Sequence, residues 1–114
     1  MAKSLVTCAL PYANGKLHIG HMLEHIQGDI YARFLRLIGK EVLFIGGSDM
    51  HGTPVELNAA KHGIPVEKFA ENFRKEHIQN FKDYLIEYDN FYKTHSPENK
   101  ELAEFFFTEL RENF

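Results

Sequence analysis

Apolar positions along this chain change their spacing from one segment to the next, and each change marks an element. The run SLVTCAL, Ser4–Leu10, is apolar, partly β-branched and bounded by Pro11, which predicts a buried strand. Pro11–Lys16 carries Pro, Asn and Gly and reads as a loop. From about Ile19 to Ile38 the spacing lengthens to three and four. Ile19, Met22, Leu23, Ile26, Ile30, Phe34 and Leu37 form the stripe of an amphipathic helix. Asp29 and Arg33 stand four apart as a surface pair, and Gly39 closes the helix. EVLFIGG, Glu41–Gly47, is a second buried strand. Strand, long helix and strand make a βαβ unit, with parallel strands and a right-handed crossover.

The remaining pattern is helical. Thr53 can cap a short helix that begins with Pro54 and ends near Gly63. Pro65 starts a longer one, with Val66, Phe69, Phe73, His77, Phe81 and Tyr84 on a single face. Tyr88–His95 is irregular or a short strand. Ser96, followed by Pro97 and Glu98, begins a last helix with Leu102, Phe105, Phe106 and Leu110 expected to face inward. That helix runs to Phe114 without a stop signal. Phe105–Phe107 cannot all be buried by one helix against so small a body, so the chain is expected to be a piece of a longer protein.

The 114 residues allow one small domain, and a hydrophobic fraction of 44% with 25% charged residues is that of ordinary globular protein. No apolar stretch approaches the roughly 20 residues that cross a bilayer. The start, MAKSLVTCALPYANG, lacks a secretory cleavage site, so a cytoplasmic protein is expected. One cysteine, Cys8, excludes an internal disulfide and a CxxC zinc knuckle, and its apolar surroundings make it a core residue rather than a catalytic thiol. Thirteen basic against sixteen acidic residues, a net charge of −3, argue against a free-standing nucleic-acid binder.

The loop after the first strand is the ligand position of open α/β sheets, and here it ends in HIGH, His18–His21, at a helix amino terminus. Free N–H groups and the positive end of the helix dipole make an anion site, to which two histidines add donors. Gly20 leaves room for close backbone approach of a flat ligand. The three-glycine dinucleotide fingerprint is missing, which favours a nucleoside triphosphate. Asp49 follows the second strand at the same sheet edge, where a carboxylate can hold a substrate ammonium group. A different reading also fits: His18, His21 and His25 fall near one helix face, and Asp49 and His51 could complete a zinc shell. His62 and His77 read as surface and helix-face residues, and His95 has no evident partner. Tyr88, Phe91 and Tyr92 form an aromatic cluster suited to core packing more than to base stacking.

PYANGKLHIGHMLEHIQGD at Pro11–Asp29, SDMHGTP at Ser48–Pro54 and YDNFYKTHSPEN at Tyr88–Asn99 together resemble the methionyl-tRNA synthetases, which are class I aminoacyl-tRNA synthetases. The resemblance covers essentially the whole chain. It implies an α/β fold: the first half of a Rossmann-like parallel sheet with flanking helices, incomplete, with residues 1–114 ending near the connective-peptide insertion. It implies activation of methionine by ATP with magnesium, then transfer to tRNA(Met). In such an enzyme His18 and His21 would stabilise the phosphorus transition state, and Tyr12, Asn14 and Gly20 would join them around ATP, Gly20 against the adenine. Asp49 would take the methionine ammonium group, with Leu10 and Tyr12 lining the amino-acid pocket.

A KMSKS-type loop, the connective-peptide zinc site and an anticodon-binding domain have no counterpart in these residues. The chain is therefore expected to need the remainder of a synthetase, to be poorly stable or self-associating alone, and not to form adenylate by itself. Rival readings are a small HxGH nucleotidyltransferase that makes another adenylate, and a non-catalytic nucleotide-binding module.

Overall fold

A computed structural model describes residues 3–113, so the expected helix end at Phe114 lies outside the described residues. The elements run β1 (Ser4–Thr7), α1 (Ile19–Leu37), β2 (Val42–Ser48), α2 (Thr53–His62), α3 (Val66–Asp83), β3 (Asn90–Lys93) and α4 (Pro97–Asn113). The three strands are parallel in the order β1-β2-β3, with Leu5 beside Leu43, Val6 beside Phe44 and Gly46 beside Phe91. β1 is shorter than the run Ser4–Leu10 suggests, because the chain leaves the ladder after Thr7. Of the two alternatives for Tyr88–His95, the segment contains the short strand, β3.

One face of the sheet carries the core. Val6 and Phe44 pack with Met22, Ala32 and Leu35 of α1, Phe81 of α3 and Ile86. Cys8, Tyr88 and Phe91 lie against this cluster, in keeping with packing roles. The opposite face leaves Leu5 and Leu43 more than half exposed, and the shortest dimension of the molecule is 20 Å, the thickness of one sheet and one helical layer. No helix among the described residues is long and apolar enough to cross a membrane.

The orientation of α1 departs from its hydrophobic stripe. Ile19, Leu23, Ile30, Phe34 and Leu37 are exposed, while Met22, His25, Asp29, Ala32 and Leu35 are buried. The buried face is chosen by close approach and by polar bonds. A Cβ at Gly28 would sit 2.5 Å from Cys8 Sγ and 3.2 Å from Phe44, so a glycine there lets the helix lie directly on the sheet. Asp29 is not a surface partner of Arg33 but a buried carboxylate. It accepts from Arg33 Nε at 2.5 Å and from the Glu87 N–H at 2.9 Å, tying α1 to the segment that enters β3.

Three further expectations change. α2 starts on Gly52 as its cap, with Thr53 already in the first turn and no side-chain cap bond. Tyr84 ends α3 in solvent instead of sharing its packed face, since the chain has turned out of the helix there. α4 begins as expected on Ser96, whose Oγ accepts from the Asn99 N–H at 3.1 Å. It buries none of its residues, so Leu102, Phe105, Phe106 and Leu110 face outward. Among the described residues no element lies over them. A smaller cluster of Ala13, Met50, Val55, Ala59, Phe69 and Ala70 joins α2 and α3 to the loop after β1.

Candidate functional site at the carboxyl edge of the sheet

The site begins where β1 leaves its ladder. Pairing with β2 stops at Thr7–Ile45 and resumes as one parallel bridge between Tyr12 and Asp49. Four residues, Cys8–Pro11, therefore span the same interval as three on β2, and the surplus turns the chain outward. Ala9 gives its N–H to Glu24 Oε1 of α1 at 2.6 Å in place of a strand partner. At the resumed bridge the Asp49 N–H donates to Pro11 O at 3.0 Å and the Ala13 N–H to Asp49 O at 2.8 Å. These bonds bring Tyr12 and Asp49 side by side. Two glycines make room for the side chains: Leu10 lies against Gly47, and any Cβ on Gly52 would overlap the Tyr12 hydroxyl.

The loop that follows is held from behind by two helices. Asn58 of α2 donates its Nδ2 to Asn14 Oδ1 at 2.9 Å. His77 of α3 approaches Gly15 O through Nε2 at 2.7 Å. His77 is fully buried, on the packed face of α3 where the helical spacing places it. Burial pushes its pKa below the usual 6.5, against the smaller raising effect of the Gly15 carbonyl.

At the end of the loop His18 caps α1. Its Nδ1 accepts the Gly20 N–H at 3.1 Å, while His21 Nδ1 accepts the His18 N–H at 3.2 Å. Together they form a capping box made of two imidazoles. The rings stack with centroids 3.7 Å apart. Gly20 serves this stack directly, since a Cβ there would stand 3.0 Å from the His18 ring. An Nδ1 that accepts carries no proton, so in each neutral ring the proton sits on Nε2. Each ring is thus a donor at the helix amino terminus, where anions are stabilised. Burial, then the neighbouring His18, lowers the His21 pKa from 6.5 and favours this neutral form.

Leu10, Tyr12, Asn14 and Asp49 share the carboxyl edge of the sheet, and His18, Gly20 and His21 stand at the end of the loop that starts there. Asp49 accepts weakly from the His51 N–H at 3.4 Å, leaving the carboxylate with ample lone pairs for a ligand. The zinc reading of His18, His21 and His25 is not assembled: His25 is buried against Phe81 and bonded to the Tyr88 hydroxyl. No three His, Cys, Asp or Glu side chains among the described residues gather as a metal shell.

Sequence reasoning missed three contributors. His77 shows only as a member of a packed helical face. Glu24 carries no motif signal for its bond to Ala9. His95, without an evident partner in the sequence, meets His51 at 3.0 Å from the far side of the sheet edge. That pair walls an open groove of about 800 Å³ lined by Tyr92, Thr94, Asn99 and Lys100 among others.

Known proteins share the sequence pattern and the fold of this chain. A family model described as "tRNA synthetases class I (M)" matches residues 4–114. Among solved structures, a Mycobacterium tuberculosis methionyl-tRNA synthetase in complex with methionyl-adenylate superposes with a TM-score of 0.83 and 34% identity over 86% of this chain and 19% of that one. A second structure of the synthetase from that organism, also bound by methionyl-adenylate, gives 0.81 and 33% over 84% of this chain and 19% of that one. The chain thus spans about a fifth of the length of the structures it matches.

Proposed function

The chain belongs to the class I tRNA synthetases of the (M) family, and from that premise we propose that it is the ATP-binding part of a methionine–tRNA ligase. Its residues 1–114 form the amino-terminal half of a Rossmann-like catalytic domain, ending near the connective-peptide insertion. The substrates are methionine, magnesium-bound ATP and tRNA(Met), and the place of work is the cytoplasm. The remainder of a synthetase completes the active site.

The observation that carries this reading is the imidazole capping box. In adenylate formation a carboxylate oxygen of methionine attacks the α-phosphorus, and the bond to the bridging oxygen of the β-phosphate breaks. Pyrophosphate leaves with that electron pair. No proton need move, because the attacking carboxylate is already ionised. What the reaction requires is donors aimed at charge growing on the phosphate oxygens. His18 and His21 supply Nε2–H groups whose tautomers are set by the helix start itself. Tyr12, Asn14 and Gly20 complete the nucleotide surface, with Gly20 against the adenine. Asp49 receives the ammonium group of methionine beside Leu10 and Tyr12. Transfer follows when a ribose hydroxyl of the terminal adenosine of tRNA attacks the acyl carbon, the acyl–phosphate bond breaks, and AMP departs with the hydroxyl proton passing to its phosphate.

The test is methionine-dependent exchange of labelled pyrophosphate into ATP by the full-length protein. Exchange that needs methionine supports the ligase. Exchange driven only by a different acid would assign the chain to an HxGH nucleotidyltransferase, and ATP binding without any exchange would make it a binding module.

A further inference from the structure

The loop that bears Tyr12 and Asn14 is tied to α3 by a bond from a side chain 62 residues away, and that side chain is an odd choice for its position. Phe69, Phe73, His77 and Phe81 fall in sequence along one face of α3, and three of the four are phenylalanine. The fourth is an imidazole with no exposed surface. Its Nδ1 is buried and meets no partner among the described residues. A carbonyl oxygen can only accept, so Nε2 must carry the proton it shares with Gly15 O. Burying an imidazole with one nitrogen unsatisfied costs free energy that a fourth apolar side chain would avoid. Stability alone therefore gives no reason for a histidine here, whereas the single bond to Gly15 does.

Gly15 stands between Asn14 and the start of the HIGH segment. Nothing lies within 4 Å of where its side chain would be, so the residue touches the body of the protein chiefly through its carbonyl. Among the described residues, the other side-chain ties on Asn14–Lys16 are Asn58 to Asn14 and a long, exposed Lys16–Glu76 pair at 4.0 Å. Asp49, by contrast, is fixed by its own two backbone bonds to the segment before Asn14.

We propose that His77 is a positioning residue for nucleotide binding: its Nε2–H, held on Gly15 O, fixes the Asn14–Lys16 end of the loop in the shape from which Asn14 meets ATP, while Tyr12 is held separately by its bridge to Asp49. The proposal rests on the ligase reading above for the identity of the ligand. Because Gly15 lies towards the nucleotide end of the loop, loosening it falls on ATP and spares methionine.

Three substitutions in the full-length protein test this. His77→Gln keeps an amide N–H at about the reach of Nε2. His77→Asn keeps polarity but falls short, and His77→Phe fills the space without a donor. In pyrophosphate exchange the Asn and Phe variants should raise KM for ATP by about tenfold, the scale of one lost hydrogen bond. KM for methionine should stay within about twofold in both, and Gln should restore the wild-type KM for ATP. Equal rises in both KM values, identical behaviour of Gln and Asn, or loss of folding by all three would overturn the proposal and make His77 a packing residue. ATP affinity of the same variants, measured by calorimetry, decides the point independently. Should the wild type show no methionine-dependent exchange, the ligase reading falls while the calorimetric comparison still judges His77.

Discussion

His18 and His21 are each other's neighbours twice over: their rings stack at 3.7 Å, and each spends its Nδ1 on a backbone N–H of the same helix start. One pair of side chains thus ends the loop, begins α1 and presents two donors. Capping and phosphate binding are different properties, and asparagine separates them, since it is a preferred N-cap residue but has no group at the Nε2 position. His18→Asn should leave the thermal midpoint within about 2 °C, reflecting a stability change of less than about 0.5 kcal/mol. Adenylate formation by the full-length protein should fall by about 10²–10³-fold, the usual effect of removing one donor to developing charge. Unchanged exchange in a folded His18→Asn protein would refute the role given to this ring.

The contact between α1 and the sheet is set by Gly28 against Cys8 and Phe44. Alanine at position 28 gains helix propensity of about 1 kcal/mol but is driven into Cys8 Sγ, and overpacking of this kind costs about 1–3 kcal/mol. Gly28→Ala should therefore destabilise by about 1 kcal/mol in denaturant melts. Cys8→Ala removes the sulfur, so the double variant should recover at least about 0.5 kcal/mol relative to additivity. Strict additivity would mean that the sulfur is not the obstacle.

Much of this architecture was legible in the residues. The βαβ unit announced itself through strand runs on either side of a three-and-four repeat. Its loop could be placed at the carboxyl edge of the sheet from the residue pattern alone. The burial of α1 could not be read that way. A stripe count ranks Ile30 and Phe34 above Gly28, Ala32 and Asp29, yet the second set faces the sheet because glycine and alanine permit contact and Asp29 finds Arg33 and Glu87. Hydrophobicity measures what a residue gains from any apolar neighbour; it carries nothing about which neighbour can come close. For the same reason His77 looked like one more position on a helical face, and its partner, a carbonyl of Gly15, has no signature in sequence at all.

Acid should weaken the fold through its histidines. His21, His25 and His77 all have pKa values below the ordinary 6.5, in each case chiefly through burial. The unfolded chain takes up protons on these rings as pH falls below about 6.5, while the folded chain resists them. More protons bound in the unfolded state means that stability rises with pH inside this window and levels off above it. The thermal midpoint should be flat from about pH 8 to 7 and then fall steadily towards about pH 5.5. His77→Gln and His25→Gln should each flatten that descent. A midpoint constant across the whole range would show that these rings protonate freely in the folded chain.

Leu85 offers a stabilising change. Three helices end on the same pair of backbone bonds, in which the last N–H groups reach back to carbonyls three and five residues earlier: Gly39 and Lys40 after α1, Gly63 and Ile64 after α2, Leu85 and Ile86 after α3. The residue that turns the corner must adopt positive φ, and it does so at +80° for Gly39, +66° for Gly63 and 58° for Leu85. Two of the three are glycine, which takes this conformation without a Cβ clash; leucine pays about 1 kcal/mol for it. The turn persists because it is held from outside, with Arg33 Nη2 donating to Leu85 O at 2.7 Å and Asp29 accepting the Glu87 N–H. Neither bond uses the Leu85 side chain, which is 74% exposed. Leu85→Gly therefore relieves the strain and gives up little burial, and after the entropy glycine adds to the unfolded chain the gain should be about 0.5 kcal/mol, a rise of a few degrees in thermal midpoint. The reverse change, Gly63→Leu, should lose stability, by about 1 kcal/mol, since no Cβ clash but only backbone strain opposes it. If Leu85→Gly melts earlier than the wild type, the leucine side chain contributes packing that its exposure does not suggest, and the strain argument fails.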